Sequence, residues 1–167
     1  NAKDAAIQAL SVFAEKSGPH GMLGGQSVDV LFTGKHPEKE RLDYIYRLKT
    51  CALIEASMMM GAILAGAGNE SVAQFEDIGR SVGMAFQIQD DILDCTGDAA
   101  LLGKPLNSDE KNGKTTYVTL FGIDTARAEV ERLSENARHT LENVDSADEN
   151  EKKFLLWLIE SLVKRMY

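Results

Sequence analysis

The segment from Gly83 to Asp94, GMAFQIQDDILD, constrains the fold more than any other stretch of the chain. On a helical wheel at ~100° per residue, Gly83, Gln87, Asp90, Asp91 and Asp94 fall within about a third of the circumference. Val82, Ala85, Phe86, Ile88, Ile92 and Leu93 fill the rest. A helix that is apolar nearly all round is buried, and its polar stripe is buried with it. Three carboxylates within about one turn repel one another, and burial penalises each of them. They also sit at the carboxyl end of the helix, where the macrodipole is negative. A bare DDxxD in an acidic chain ordinarily marks a solvated face, but that needs a second polar arc, which this helix lacks. A hard divalent cation removes the conflict. Carboxylate oxygens suit magnesium, which keeps several waters and shares its remaining positions with phosphate oxygens. Gly83 is expected to leave room one turn before Gln87.

The remaining periodicity is helical throughout. A helix is expected from Ala2 to about Lys16, stopped by Ser17-Gly18-Pro19, and a second through the Gly-rich stretch before Gly34. Gly24 and Gly25 allow something to approach the backbone there. Pro37 suits the first position of a third helix with Glu38 and Glu40 in its first turn. A fourth is expected from about Thr50 to Ala67, and the longest from Ser71 to Asp94. Residues 98–113 read as a loop, followed by a short helix from Thr115 to near Gly122, one from Asp124 to Asn143 and one from Glu151 to Tyr167. No strand-like alternation persists, so the fold class is all-α: one layer of packed helices.

The formal net charge of −8 repels a phosphate backbone and argues against nucleic acid as a partner. It leaves room for an anionic ligand if cations stand between. The most apolar run, Ala52 to Gly68, contains Glu55 and falls short of the ~20 residues of a membrane span. Cys51 and Cys95 form no zinc or CxxC spacing and read as free thiols of a reducing cytoplasm. The three histidines are scattered. A metal-bound diphosphate also needs cationic donors: Lys49-Thr50 at a helix junction, Lys104 in the loop and Lys114 before the short helix are the candidates.

The ordered set Gly24-Gly25-Gln26-x-x-Asp29, Lys49-Thr50-x-Ala52-Leu53-Ile54, Gly83-x-x-Phe86-Gln87-x-x-Asp90-Asp91-x-x-Asp94, Gly97-Asp98, Gly103-Lys104 and Lys114-Thr115-Thr116-Tyr117 resembles the polyprenyl synthetases, above all their short-chain bacterial farnesyl diphosphate synthases. The resemblance covers essentially all of residues 1–167. It implies the helical isoprenoid-synthase bundle around a central cavity, usually as a homodimer. It implies condensation of an allylic diphosphate with isopentenyl diphosphate, to farnesyl diphosphate, with Mg2+ as cofactor. By position, Asp90, Asp91 and Asp94 resemble the family's second aspartate-rich metal motif. Lys49, Lys104 and Lys114 match the lysines that grip the diphosphate, and Thr50 and Gln87 those that stabilise the allylic cation. Gln26 and Asp29 match residues of the cavity wall.

One departure is large. The family's first aspartate-rich motif has no counterpart here, so the chain is expected to be the carboxyl-terminal portion of one synthase domain and inactive alone. The alternative is a non-catalytic subunit of a heteromeric synthase, which has no need to keep the second motif and the lysines. A terpene cyclase of the same fold fits the lysine set less well.

Overall fold

The computed structural model describes residues 2–96, 113–145 and 148–163. Among these every regular element is helical: α1 Ala2–Ser17, α2 Met22–Phe32, α3 Lys39–Tyr46, α4 Ala52–Leu64, α5 Asn69–Thr96, α6 Tyr117–Phe121, α7 Ile123–Glu142 and α8 Glu149–Val163. A π turn, Arg47–Cys51, joins α3 to α4.

Helix α5 is the axis of the bundle. It packs on α4 on one side and α7 on the other, with α1 beyond α4 and α8 against α7 and α5. Its apolar residues serve three cores. Ala85, Ile88 and Ile92 join Leu42, Ile45 and Tyr46 of α3 and Ala126, Val130 and Leu133 of α7. Ile78 and Val82 meet Ala137, Leu141 and Ile159. Val72 meets Ala9, Ala62 and Ile63. Fully burying one such aliphatic side chain stabilises the fold by about 1.5–3 kcal/mol, so a helix seated in three cores is held rigidly along its length.

The boundaries differ from expectation where the backbone does something particular. Pro37 is buried but stands ahead of α3, whose cap is Glu38 in an extended conformation. The Glu38 carbonyl takes the first intrahelical bonds, from Arg41 and Leu42. Lys49-Thr50 is not a break between helices. The backbone runs on in helical conformation, with the Ala52 N–H donating to the Arg47 carbonyl five residues back. The amides expected to be free at a junction are therefore part of a continuous helix.

Two glycines explain why the π turn sits where it does. A Cβ on Gly25 of α2 would lie 2.4 Å from the Lys49 nitrogen and 2.7 Å from Leu48 Cβ. A Cβ on Gly83 of α5 would lie 2.7 Å from Cys51 Cα and 2.8 Å from its Sγ. Both flanking helices thus press onto the widened turn without side chains between. The space that Gly83 leaves is filled by Cys51, not kept open for a ligand.

Candidate functional site

The polar stripe of α5 faces inward. Asp91 and Asp94 are each 1% exposed, and Asp90 and Gln87 are half-buried. Around them the structure joins four other parts of the chain: the π turn, α2, α3 and the start of α6. From the π turn, the Thr50 hydroxyl donates to Gln87 Oε1 at 2.8 Å. Gln87 Nε2 in turn reaches Asp91 Oδ1 at 3.5 Å. From α2, Asp29 Oδ2 accepts from Lys49 Nζ at 2.6 Å. From the segment leading into α6, the Tyr117 backbone N–H donates to Asp91 Oδ2 at 2.9 Å. The same oxygen accepts from the Tyr46 hydroxyl at 2.5 Å.

Each position follows from local structure. The π turn shifts the register of the α3–α4 helix by one residue, which turns Lys49 toward α2 and Thr50 toward α5. Such single π turns often occur at functional sites. Thr116 caps α6: its hydroxyl accepts from the Thr119 N–H at 3.2 Å, and Thr119 Oγ1 accepts from the Thr116 N–H at 2.9 Å. This reciprocal box fixes where the helix starts and therefore where the Tyr117 amide points. Thr115 is buried beside Lys35 and His36, its hydroxyl 3.4 Å from the Lys35 carbonyl. Lys114 is half-buried and lines a crevice with Asp29, Thr33 and Pro37.

Of the residues singled out in the sequence, Lys49 is hydrogen-bonded to Asp29, Thr50 to Gln87 and Gln87 to Asp91, and Lys114 lines one crevice with Asp29. Gln26 is on the exposed side of α2. Lys104 lies outside the described residues. Among the described residues, no three acidic, histidine or cysteine side chains are gathered closely enough to hold an ion as they stand. The donor chemistry nevertheless fits magnesium: carboxylate oxygens on one helical stripe, with no thiolate or imidazole among them.

Two residues were not read from the sequence. Tyr46 was not singled out, and its hydroxyl on Asp91 could be inferred only from knowing which turn of α3 faces α5. Cys51 carried no signal beyond its type. It is fully buried against Gly83, and burial, reinforced by the Glu55 carboxylate, pushes its thiol up to about 12. It is unreactive at neutral pH.

This bundle, with an acidic stripe facing a lysine-bearing helix turn, defines an isoprenoid-synthase-like all-helical protein. The polyprenyl synthetase family profile matches residues 2–154, and the chain belongs to that family. It is 42% identical over 139 residues to farnesyl diphosphate synthase of Escherichia coli K12, covering 83% of this chain and 46% of the relative. It is 36% identical over 143 residues to the chloroplastic geranylgeranyl pyrophosphate synthase 11 of Arabidopsis thaliana, covering 84% and 40%. Among solved structures it resembles a Helicobacter pylori geranyltransferase complexed with magnesium and isoprenyl diphosphate (TM-score 0.83, 27% identity, 97% of this chain and 53% of that one). The chain spans about half the length of the relatives it matches. Among the described residues no helix is long and apolar enough to cross a membrane.

Proposed function

We propose that the chain is the carboxyl-terminal portion of a trans-prenyltransferase that condenses an allylic diphosphate with isopentenyl diphosphate, giving farnesyl diphosphate. The observation that carries this reading is the inward-facing stripe of α5, tied through Gln87 and Thr50 to the turn bearing Lys49. That combination supplies acidic oxygens and a diphosphate-binding cation around one buried face.

Magnesium ions, when bound, neutralise the departing diphosphate and so favour ionisation of the allylic carbon–oxygen bond. Asp90, Asp91 and Asp94 are the carboxylates of this chain that would hold them. Lys49, Lys114 and Lys104 bind the diphosphate as point charges. Lys49 is oriented for this by Asp29. Thr50 and Gln87 present oxygen dipoles to the allylic cation, which is stabilised by groups already in place before charge develops. An apolar surround keeps water from that cation. No nucleophilic side chain is required, in keeping with histidines and cysteines that form no catalytic pattern.

The exposed apolar residues Ile7 and Leu10 of α1 and Leu23, Val30 and Leu31 of α2 support a second copy docking on these helices. In this reading the complete protein carries its first aspartate-rich motif upstream of this chain and works as a homodimer in a cytoplasmic setting.

The test is an assay of the complete protein with geranyl and isopentenyl diphosphates. Asp90→Ala is expected to lower turnover by at least ~10²-fold, the scale of one lost transition-state stabiliser. A near-normal rate would refute the metal assignment. The 167-residue chain alone is expected to show no turnover, and product formation by it would contradict the missing-half reading.

A further inference from the structure

Asp91 differs from its neighbours in how its carboxylate is used. It is 1% exposed, and one oxygen, Oδ2, accepts both the Tyr46 hydroxyl at 2.5 Å and the Tyr117 amide at 2.9 Å. The other, Oδ1, is 3.5 Å from Gln87 Nε2. These donors come from three places: α3, one turn earlier on α5, and the first residue of α6. A carboxylate bonded in this way is directed into the protein, and a cation at Oδ2 would displace donors that are themselves buried. Leaving a buried hydroxyl or amide unsatisfied is costly.

What Asp91 holds is the start of α6. Tyr117 follows directly on Lys114-Thr115-Thr116, and Lys114 lines one crevice with Asp29, the partner of Lys49. The hydrogen bond to the Tyr117 amide is therefore a tie between the acidic helix and the segment that delivers Lys114. The Thr116 cap, two residues after Lys114, fixes where α6 starts.

We propose that Asp91 is a positioning residue: with Tyr46 it clamps the amide of Tyr117 to α5 and so fixes Lys114 against the diphosphate, while cation binding falls to Asp90 and Asp94. This rests on the metal and diphosphate reading above. It differs from that reading in separating one aspartate of the motif from the metal.

The experiment uses the complete protein and three readouts: steady-state kinetics with the allylic diphosphate, Mn2+ titration followed by electron paramagnetic resonance, and hydrogen exchange at the Tyr117 amide. Asp91→Ala is expected to raise the allylic KM about tenfold, the scale of a lost buried hydrogen bond, with kcat changed less. It should speed Tyr117 exchange by a similar factor and leave Mn2+ affinity within about threefold, because no ligand is lost. Asp91→Asn keeps an acceptor oxygen and should restore most of the loss in KM and exchange. Tyr46→Phe, which removes only a hydroxyl and serves if Asp91→Ala does not fold, should shift KM and exchange in the same direction by less. In a Lys114→Ala background the effect of Asp91→Ala on KM should largely vanish, which a general loss of stability would not produce. Weakened Mn2+ binding in Asp91→Ala and Asp91→Asn alike, with Tyr117 still protected, would overturn the proposal. If Asp90→Ala also leaves Mn2+ binding intact, the metal reading fails by itself, and Tyr117 exchange still decides the clamp.

Discussion

Helix α5 carries buried acid–base chemistry at both ends, and the two ends are solved differently. Near its start, Glu76 meets Lys16 of α1 and Arg80 meets Glu55 of α4, with Asp77 paired to Arg80. Glu55 is 2% exposed and ion-paired to two cations: Lys16, which hydrogen-bonds its Oε2, and Arg80, whose Nε lies 3.4 Å from Oε1 without hydrogen-bond geometry. At the other end Asp91, equally buried, is met by a phenol hydroxyl, a backbone amide and a carboxamide. Full charges cancel Glu55. The donors named on Asp91 carry no charge and come from three separate elements. The first arrangement locks three helices together. The second gathers α3, α5 and α6 on one carboxylate, near the helix terminus whose dipole end is negative.

The sharpest way to break this contrast is to remove the cation from the locked end. Lys16→Ala leaves Glu55 with Arg80 alone, and breaking one partner of a buried pair costs about 3–5 kcal/mol. We expect the lower end, since Arg80 remains, measured by urea unfolding. A loss below ~1 kcal/mol would mean that Arg80 alone suffices and that the network is no lock. The pH dependence adds a check. Burial pulls the Lys16 pKa down, but the hydrogen bonds and charges of Glu55 and Glu76 outweigh it, so the net shift is upward from 10.5. A raised folded-state pKa contributes stability that is complete below the unfolded value and disappears as pH rises through the folded one. Wild-type stability should therefore fall above about pH 10.5, and this alkaline loss should be smaller in Lys16→Ala.

The two ends were also unequally legible in the sequence. The acidic stripe announced itself because Gln87, Asp90, Asp91 and Asp94 lie within eight consecutive positions of one helix, where a 3.6-residue period settles which side chains share a face. Helix identities were legible for the same reason. The lock was not, because Lys16 and Glu55 are 39 positions apart and each reads locally as an unremarkable helix residue. The π turn was missed because one inserted residue leaves no compositional mark; Lys49-Thr50 looked like a boundary between helices. The roles within DDxxD were equally hidden, since only the approach of Tyr46 and Tyr117 separates Asp91 from its neighbours.

The middle of α5 gives a prediction of intermediate size. Gly83→Ala would drive a methyl into Cys51, at 2.7 Å from its backbone Cα, so neither partner can yield cheaply. Overpacking of this kind costs about 1–3 kcal/mol, against a gain of ~1 kcal/mol in helix propensity. Gly61→Ala in α4 is the control: nothing lies within 4 Å of its Cβ position, so the propensity gain should appear alone as a stabilisation of about 0.5–1 kcal/mol. Opposite signs in thermal unfolding would establish close approach at the π turn; a stabilised Gly83→Ala would show that α5 has slack there and that the two ends of the helix are not rigidly related.

The smallest effect tests how the acidic end is held. Thr116→Ala removes the oxygen that accepts the Thr119 amide and leaves only the bond from the residue-116 backbone N–H to Thr119 Oγ1. Losing such a cap costs about 1 kcal/mol of stability. Because α6 is only five residues long, the loss falls almost entirely on the position of its first residue, Tyr117, and through it on Asp91. Global unfolding should therefore shift by no more than about 1 kcal/mol while exchange at the Tyr117 amide quickens several-fold, since local opening is cheaper than unfolding. The locked end should not respond at all: exchange in α1 and the first half of α5 should match the wild type. If protection fell uniformly along α5 instead, the two ends would be one cooperative unit, and the division between a charge-cancelled lock and a hydrogen-bonded acidic site would not describe how this helix behaves.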